Sequence, residues 1–146
     1  MELDNMDYFI DTNIFIRVFV KENEKTFKKC CEFLQLVEKK KIKAWTSSLV
    51  LVEIDWVLES FYKFKKQRAV EALESISKLR GLKVINEANI ALALDLYKRR
   101  NIKLIDALIA SNPKVMRGET TIVSYDRDFE KIKVKRMTPD AFANFN

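Results

Sequence analysis

The chain has 146 residues, with 27 Lys plus Arg against 21 Asp plus Glu, a net charge of +6 and no histidine. Lacking imidazole, it cannot use Ser-His-Asp or Cys-His nucleophilic catalysis, His acid/base chemistry or His-ligated zinc. Any chemistry falls to carboxylates, amines, hydroxyls or two cysteines. Those are the adjacent pair Cys30 and Cys31, which point in different directions on a helix and so form neither a disulfide framework nor a four-ligand zinc site. Free thiols fit a reducing compartment. No apolar run reaches the ~18 residues of a membrane span, and Met1-Glu2-Leu3-Asp4 lacks the basic start of a signal peptide. The expectation is a cytoplasmic protein folding as one domain over residues 1–146, with an anionic partner favoured by the excess positive charge.

Two glycines and two prolines leave little punctuation, so long regular elements with short joints are expected. Tyr8-Phe9-Ile10 is a short apolar run ending at Asp11 and reads as a buried strand. Asn13 to Val20 turns helical, and a longer helix over 24–41 carries Phe27, Cys31, Leu34 and Val37 at helical spacing. Lys43 to Thr46 reads as a second strand, and Ser47-Ser48 caps a helix running through about Phe64. A helix over 66–80 ends at Gly81 and Leu82 to Ile85 forms a strand. Asn86 then caps a helix from Glu87 to about Arg100, followed by another from about Asp106 to Ser111. The β-branched run Thr120 to Ser124 is a strand, with Val134 to Met137 a short last one. Strands alternating with helices and no hairpin signal predict a three-layer α/β/α sandwich with a central, mainly parallel sheet.

In such sheets ligands bind outside the carboxyl ends of the strands. Asp11 follows the first strand, Asp126 lies just beyond the Thr120–Ser124 strand, and Asp106 opens a helix. Taken singly, each is as readily a helix cap. Glu53 differs, because its helical neighbours Leu49, Val50, Trp56 and Val57 are all apolar, which places a carboxylate on the face expected to be buried. A buried carboxylate needs a cationic partner or a metal. Four acids converging on one point would repel one another unless divalent cations held them. Oxygen ligands without His or Cys select Mg²⁺ or Mn²⁺, and such an ion, with a metal-activated water and a phosphate, supports phosphodiester hydrolysis.

The set Tyr8-Phe9-Ile10-Asp11-Thr12-Asn13-Ile14-Phe15, Glu53 after Ser47-Ser48-Leu49-Val50-Leu51-Val52, Ile105-Asp106-Ala107-Leu108-Ile109-Ala110, and Val123-Ser124-Tyr125-Asp126-Arg127-Asp128-Phe129 resembles the PIN-domain nucleases, and among them the VapC-type toxins of toxin–antitoxin pairs. The resemblance spans nearly the whole chain in order and spacing. It implies a PIN-like fold, an Mg²⁺- or Mn²⁺-dependent ribonuclease, and a metal site of Asp11, Glu53, Asp106 and Asp126. It further implies supporting roles for Thr12, Asn13, Ser124 and Asp128. In the family the Asn fixes the first Asp and the small hydroxyl residue hydrogen-bonds within the site. Local capping is an equal reading of Thr12, Asn13 and Ser124, and Asp128 is either an outer ligand or a turn cap. A homodimer, and a small antitoxin inserting a basic segment into the acidic groove, are likewise implied. Asn101-Ile102-Lys103-Leu104 is a more basic approach to Asp106 than many relatives have.

Basic residues cluster in Lys39-Lys40-Lys41 with Lys43, in Lys63, Lys65, Lys66 and Arg68, in Lys98-Arg99-Arg100, and in Lys131 to Arg136. Each is either a phosphate track or a solvated face. Three other readings compete with the toxin: a housekeeping RNA-processing nuclease without antitoxin, a non-catalytic RNA-binding module, and a receiver-like or phosphatase-like domain. The last is disfavoured because Asp11-Thr12-Asn13 lacks the second acid of an Asp-x-Asp.

Overall fold

Tyr8, Phe9 and Ile10 are all buried, so the first strand is covered on both faces, as a central strand of a parallel sheet must be. Tyr8 packs edge-on against Phe142 and Phe9 edge-on against Trp45, marking the two opposite faces. The structure is a computed structural model that describes residues 6–145; the expectation for Met1 to Asp4 lies outside them. The elements in chain order are β1 (Asp7–Ile10), α1 (Thr12–Phe19), α2 (Glu24–Glu38), β2 (Lys43–Thr46), α3 (Ser48–Ser60) and α4 (Lys66–Ser77). They continue with β3 (Leu82–Val84), α5 (Ile90–Arg99), α6 (Leu104–Ala110), α7 (Pro113–Met116), β4 (Thr120–Val123) and β5 (Arg136–Met137). Two 3-10 helices, Arg127–Ile132 and Pro139–Phe142, flank β5. The strands form one sheet in the order β3-β2-β1-β4-β5, and every pairing is parallel. Helices α1 to α4 pack on one another, and α5 to α7 form a second group, giving the expected α/β/α sandwich.

The parallel topology puts the carboxyl ends of β1 and β4 side by side, with Ile10 in register with Val123. The residues following them, Asp11 and Ser124, therefore become neighbours although they lie far apart in sequence. Among the described residues no helix is long and apolar enough to cross a membrane.

Four local expectations need correction. Helix α2 buries Cys30, Phe33 and Val37 rather than Cys31 and Leu34. Its inward face is rotated by one residue because Phe27 and Leu34 sit at the flank of a broad apolar stripe. Asn86 does not cap the helix after it. Its Oδ1 accepts from Ser48 N at 2.8 Å and its Nδ2 donates to Ser48 Oγ at 2.9 Å, so it ties β3 to the start of α3, and Asn89 caps α5 instead, accepting from Leu92 N. Helix α4 ends at Ser77, four residues before Gly81. There φ is +85°, and a Cβ would collide with the carbonyl oxygen of Val37, so the glycine serves a close approach of chain to helix rather than a cap. Helix α6 starts at Leu104, which places Asp106 in its first turn.

Candidate active site

Asp11 is the N-cap of α1, its Oδ1 accepting from Thr12 N at 2.9 Å. Its Oδ2 accepts from Ser124 Oγ at 2.6 Å and from Asn13 Nδ2 at 3.2 Å. Asn13 Nδ2 also donates to Ser124 Oγ at 2.8 Å, while Asn13 Oδ1 accepts from Tyr125 N at 3.0 Å. Ser124 Oγ further accepts from Asp126 N at 3.0 Å. One hydroxyl and one amide thus lock the end of β1 to the end of β4 and fix the first acid. Capping and site support, offered as alternatives by the sequence, are here the same set of bonds. Thr12 contributes its backbone N–H; its buried Oγ1 has no hydrogen-bond partner.

Asp126 caps the following 3-10 helix, accepting from Asp128 N at 2.9 Å. That turn brings Asp128 back towards α6. Carboxylate oxygens of Asp106, Asp126 and Asp128 lie within 4.8 Å of one another. Asp106 projects from the first turn of α6 and is 1% exposed, and its Oδ2 is buried without any hydrogen-bond partner. Three convergent carboxylates with one orphaned buried oxygen fit a hard divalent cation. The cluster shares Asp106 and Asp126 with the set expected from sequence. Asp11 and Glu53 stand outside the cluster but act on Asp106 through their charge.

Glu53 departs from the expected burial. Helix α3 turns Val50, Ile54 and Leu58 inward, while Trp56 and Val52 are 65% and 69% exposed. With apolar residues on nearly every side of this helix, a projection cannot pick the buried row; packing does. Glu53 lies on the flank, 21% exposed, with its Oε2 3.7 Å from Lys103 Nζ.

The same ammonium lies 3.9 Å from Asp126 Oδ2, so a single lysine bridges acids on α3 and after β4. Burial works against the Lys103 charge, but Asp106, Glu53, Asp126 and Asp11 outweigh it and hold its pKa above the ordinary value. Lys103 was legible only as part of a basic approach. It is the N-cap residue of α6, three residues before Asp106 in the first turn. Burial, with Glu53 adding to it against Ser124, Thr12 and Lys103, pushes the Asp11 carboxyl up to about 6. Burial and the charges of Asp11, Asp126 and Glu53, opposed by Lys103, push Asp106 up to about 8. These are the signs of a carboxylate pocket short of positive charge. The cysteines take no part: burial raises the Cys30 thiol to about 11 and raises Cys31 as well, which leaves neither a ready thiolate.

Residues 8–135 match the model of the PIN domain family. The chain belongs to the PIN-domain family. Within it, the chain is 27% identical over 130 residues to the VapC ribonuclease of Aquifex aeolicus (strain VF5), covering 89% of this chain and 95% of the relative. Solved structures of similar fold include VapBC2 from Rickettsia felis bound to a DNA fragment from its promoter. That match has a TM-score of 0.66 and 23% identity, over 91% of this PIN chain and 98% of the other. DNA-bound VapBC from Salmonella typhimurium aligns with TM-score 0.67 and 17% identity over 92% and 98% of the two chains. The Sarcin-Ricin loop cleaving toxin VapC20 from Mycobacterium tuberculosis aligns with TM-score 0.63 and 17% identity over 91% and 100%. In this PIN domain the acids stand at the carboxyl end of the sheet, where open α/β folds bind ligands.

Proposed function

We propose that this PIN domain is an Mg²⁺- or Mn²⁺-dependent ribonuclease that hydrolyses RNA phosphodiester bonds, with Asp11, Glu53, Asp106 and Asp126 as its catalytic acids. The observation that carries the reading is the convergence of Asp106, Asp126 and Asp128 within 4.8 Å, together with the buried Oδ2 of Asp106 that has no hydrogen-bond partner. Asp106, Asp126 and Asp128 would hold the cation, with Glu53 and Asp11 contributing charge from α3 and β1. When bound, such an ion supplies a nucleophilic water at neutral pH and stabilises charge on phosphate oxygens. The chain's own residues do the rest. Ser124 and Asn13 hold Asp11 in one orientation. Lys103, cationic and half-exposed between Glu53 and Asp126, is placed to meet a phosphate as it enters and to limit repulsion among the acids before the metal arrives.

The biological role we favour is the toxin half of a toxin–antitoxin pair, a cytoplasmic homodimer of one-domain chains. Support comes from the VapC ribonuclease relative and from neighbours solved as VapBC complexes. A small antitoxin would inhibit by laying a basic side chain among the carboxylates, as Lys103 already does from within. The test is cleavage of a labelled RNA by the purified chain with Mn²⁺, with Mg²⁺ and with a chelator. Metal-dependent cleavage abolished by chelation is expected, and equal cleavage in all three conditions would refute the metal mechanism. An adjacent small reading frame encoding a DNA-binding protein distinguishes the toxin from a housekeeping nuclease.

A further inference from the structure

Beyond the carboxylates, the turn joining α3 to α4 combines exposed cations with aromatic rings. Residues 61–68 read Phe-Tyr-Lys-Phe-Lys-Lys-Gln-Arg, with four cations and no acid. Lys63, Lys65, Lys66 and Arg68 are all exposed, and among the described residues none of them forms an ion pair. Phe61 is 71% exposed, more than any other large apolar side chain described. Its ring stands against that of Tyr62 at 4.9 Å and 78°, and the Arg68 guanidinium covers Phe64 at 3.8 Å.

The turn is pinned rather than loose. Phe61 N and Tyr62 N both donate to Val57 O, at 3.0 and 3.2 Å, and Phe64 N donates to Leu58 O at 2.9 Å. The aromatic faces are therefore held out before any ligand arrives, which spares the ordering cost of binding.

A cleft lies beside this turn: Tyr62, Arg17 and Asn13 all line a cavity of about 180 Å³, and Asn13 is bonded directly to Asp11. Within the cleft, Arg17 lies over the Tyr125 ring at 4.5 Å, and its buried Nε has no hydrogen-bond partner. Along α3, Phe61 follows Glu53 by eight residues, a rise of about 12 Å.

We propose that the α3–α4 turn is a binding arm for single-stranded RNA. In it Phe61 offers a stacking face to a base, Lys63, Lys65 and Lys66 hold the flanking phosphates, and Arg17 guides the strand through the cleft to the acidic pocket. The proposal rests on the ribonuclease reading and names the part of the substrate that reading leaves open. Exposed aromatic faces interleaved with unpaired cations are what sequence-tolerant binding of a single strand requires. Four exposed cations against the neighbouring Glu59 and Glu71 leave the arm with an excess of positive charge, which favours a polyanion.

The arm can be tested apart from the chemistry. Binding of a fluorescein-labelled 12-nucleotide oligouridylate is measured in EDTA as a function of salt. Turnover of the p-nitrophenyl ester of thymidine 5′-monophosphate is measured with Mn²⁺, because that substrate is too short to reach the arm. Phe61→Ala is expected to weaken oligouridylate binding about tenfold, and Phe61→Tyr, which keeps the ring, to retain wild-type affinity. The double variant Lys65→Gln/Lys66→Gln should reduce the slope of log K against log salt by about 1.4, or about 0.7 per lysine. All variants should turn over the ester as the wild type does. Unchanged affinity and salt slope would overturn the proposal and leave the arm as a protein-docking surface. So would a Phe61→Tyr variant as weak as Phe61→Ala. A wild type that binds oligouridylate through the arm but never hydrolyses the ester sinks the nuclease reading while leaving the arm intact.

Discussion

Strand β1 carries an aspartate at each end, and the two are treated in opposite ways. Asp7, at the amino end, is surrounded by partners. Trp45 Nε1 donates to its Oδ1 at 3.3 Å, Thr120 Oγ1 donates to the same oxygen, and Lys114 pairs with Oδ2. Asp11, four residues on, receives hydrogen bonds from Thr12, Ser124 and Asn13 but no cation of its own. Around it Glu53, Asp106 and Asp126 all draw on the one ammonium of Lys103. Asp7 is a carboxylate satisfied by the fold; at the carboxyl end Asp128 has its own partner in Lys131 at 2.8 Å, but Asp11, Glu53, Asp106 and Asp126 are held in place with only Lys103 among them. The contrast teaches that burial of an acid does not by itself mark a site. What marks it is a deficit of charge compensation that an external cation can make good.

The largest effect should come from removing an acid at the deficient end. Asp106→Asn is expected to lower metal-dependent RNA cleavage at least about a hundredfold through lost metal affinity. Its metal-free stability in urea unfolding should match the wild type near neutral pH, where the Asp106 carboxyl is largely protonated, and exceed it above about pH 8, where the wild type carries the repelling charge. Asp7→Asn should do the reverse. Loss of a charged hydrogen-bonded partner for Lys114 should cost about 2 kcal/mol in urea unfolding, with cleavage per folded molecule unchanged. If Asp7→Asn lost activity as Asp106→Asn does, the two ends would not be distinct.

A smaller effect concerns pH. The folded pKa of Asp11 is about 6 and that of Asp106 about 8, both above the ordinary 3.8, so folding favours their protonated forms. Their contribution to stability is full below pH 3.8 and is lost as pH rises through about 6 and then about 8. Thermal melts of the metal-free chain should therefore fall across that window, and saturating Mg²⁺ or Mn²⁺ should restore the upper end. A metal-free melting temperature that climbs between pH 6 and 8 would contradict the charge deficit. The smallest effect expected is that of Lys103→Met. Its charge lowers the pKa of both Asp11 and Asp106, so removing this half-exposed cation should extend the same loss of stability to higher pH and enlarge it, and should lower the salt sensitivity of RNA binding only slightly.

Most of the architecture was legible in the sequence because apolar runs and acids alternate with little ambiguity. The run Tyr8-Phe9-Ile10 reads as a buried strand, and the alternation of strand and helix left a parallel sheet as the economical arrangement. Asp11 and Asp126 stand out because each lies just beyond a strand, where open α/β sheets bind ligands; Ser124 joined them only through the resemblance to PIN-domain nucleases. What escaped was set by tertiary packing. Glu53 was placed on the buried face because α3 is apolar on several sides, and only the packing of Val50, Ile54 and Leu58 decides which side turns inward. Asn86 was assigned to the helix after it, since its bond to Ser48 spans 38 residues and leaves no local pattern. Asp128 came into the carboxylate cluster through the turn capped by Asp126. Lys103 became central only once α3 and β4 were brought beside α6.

The account stands or falls on one comparison. RNA cleavage with Mn²⁺ should be measured for the wild type, Asp11→Asn, Asp106→Asn and Asp7→Asn, with each protein's folded fraction determined in the same samples. The account predicts that the two variants at the carboxyl end are folded and inactive, whereas Asp7→Asn is less stable and active. Undiminished cleavage by Asp11→Asn and Asp106→Asn, at concentrations that exclude a contaminating nuclease, would contradict it.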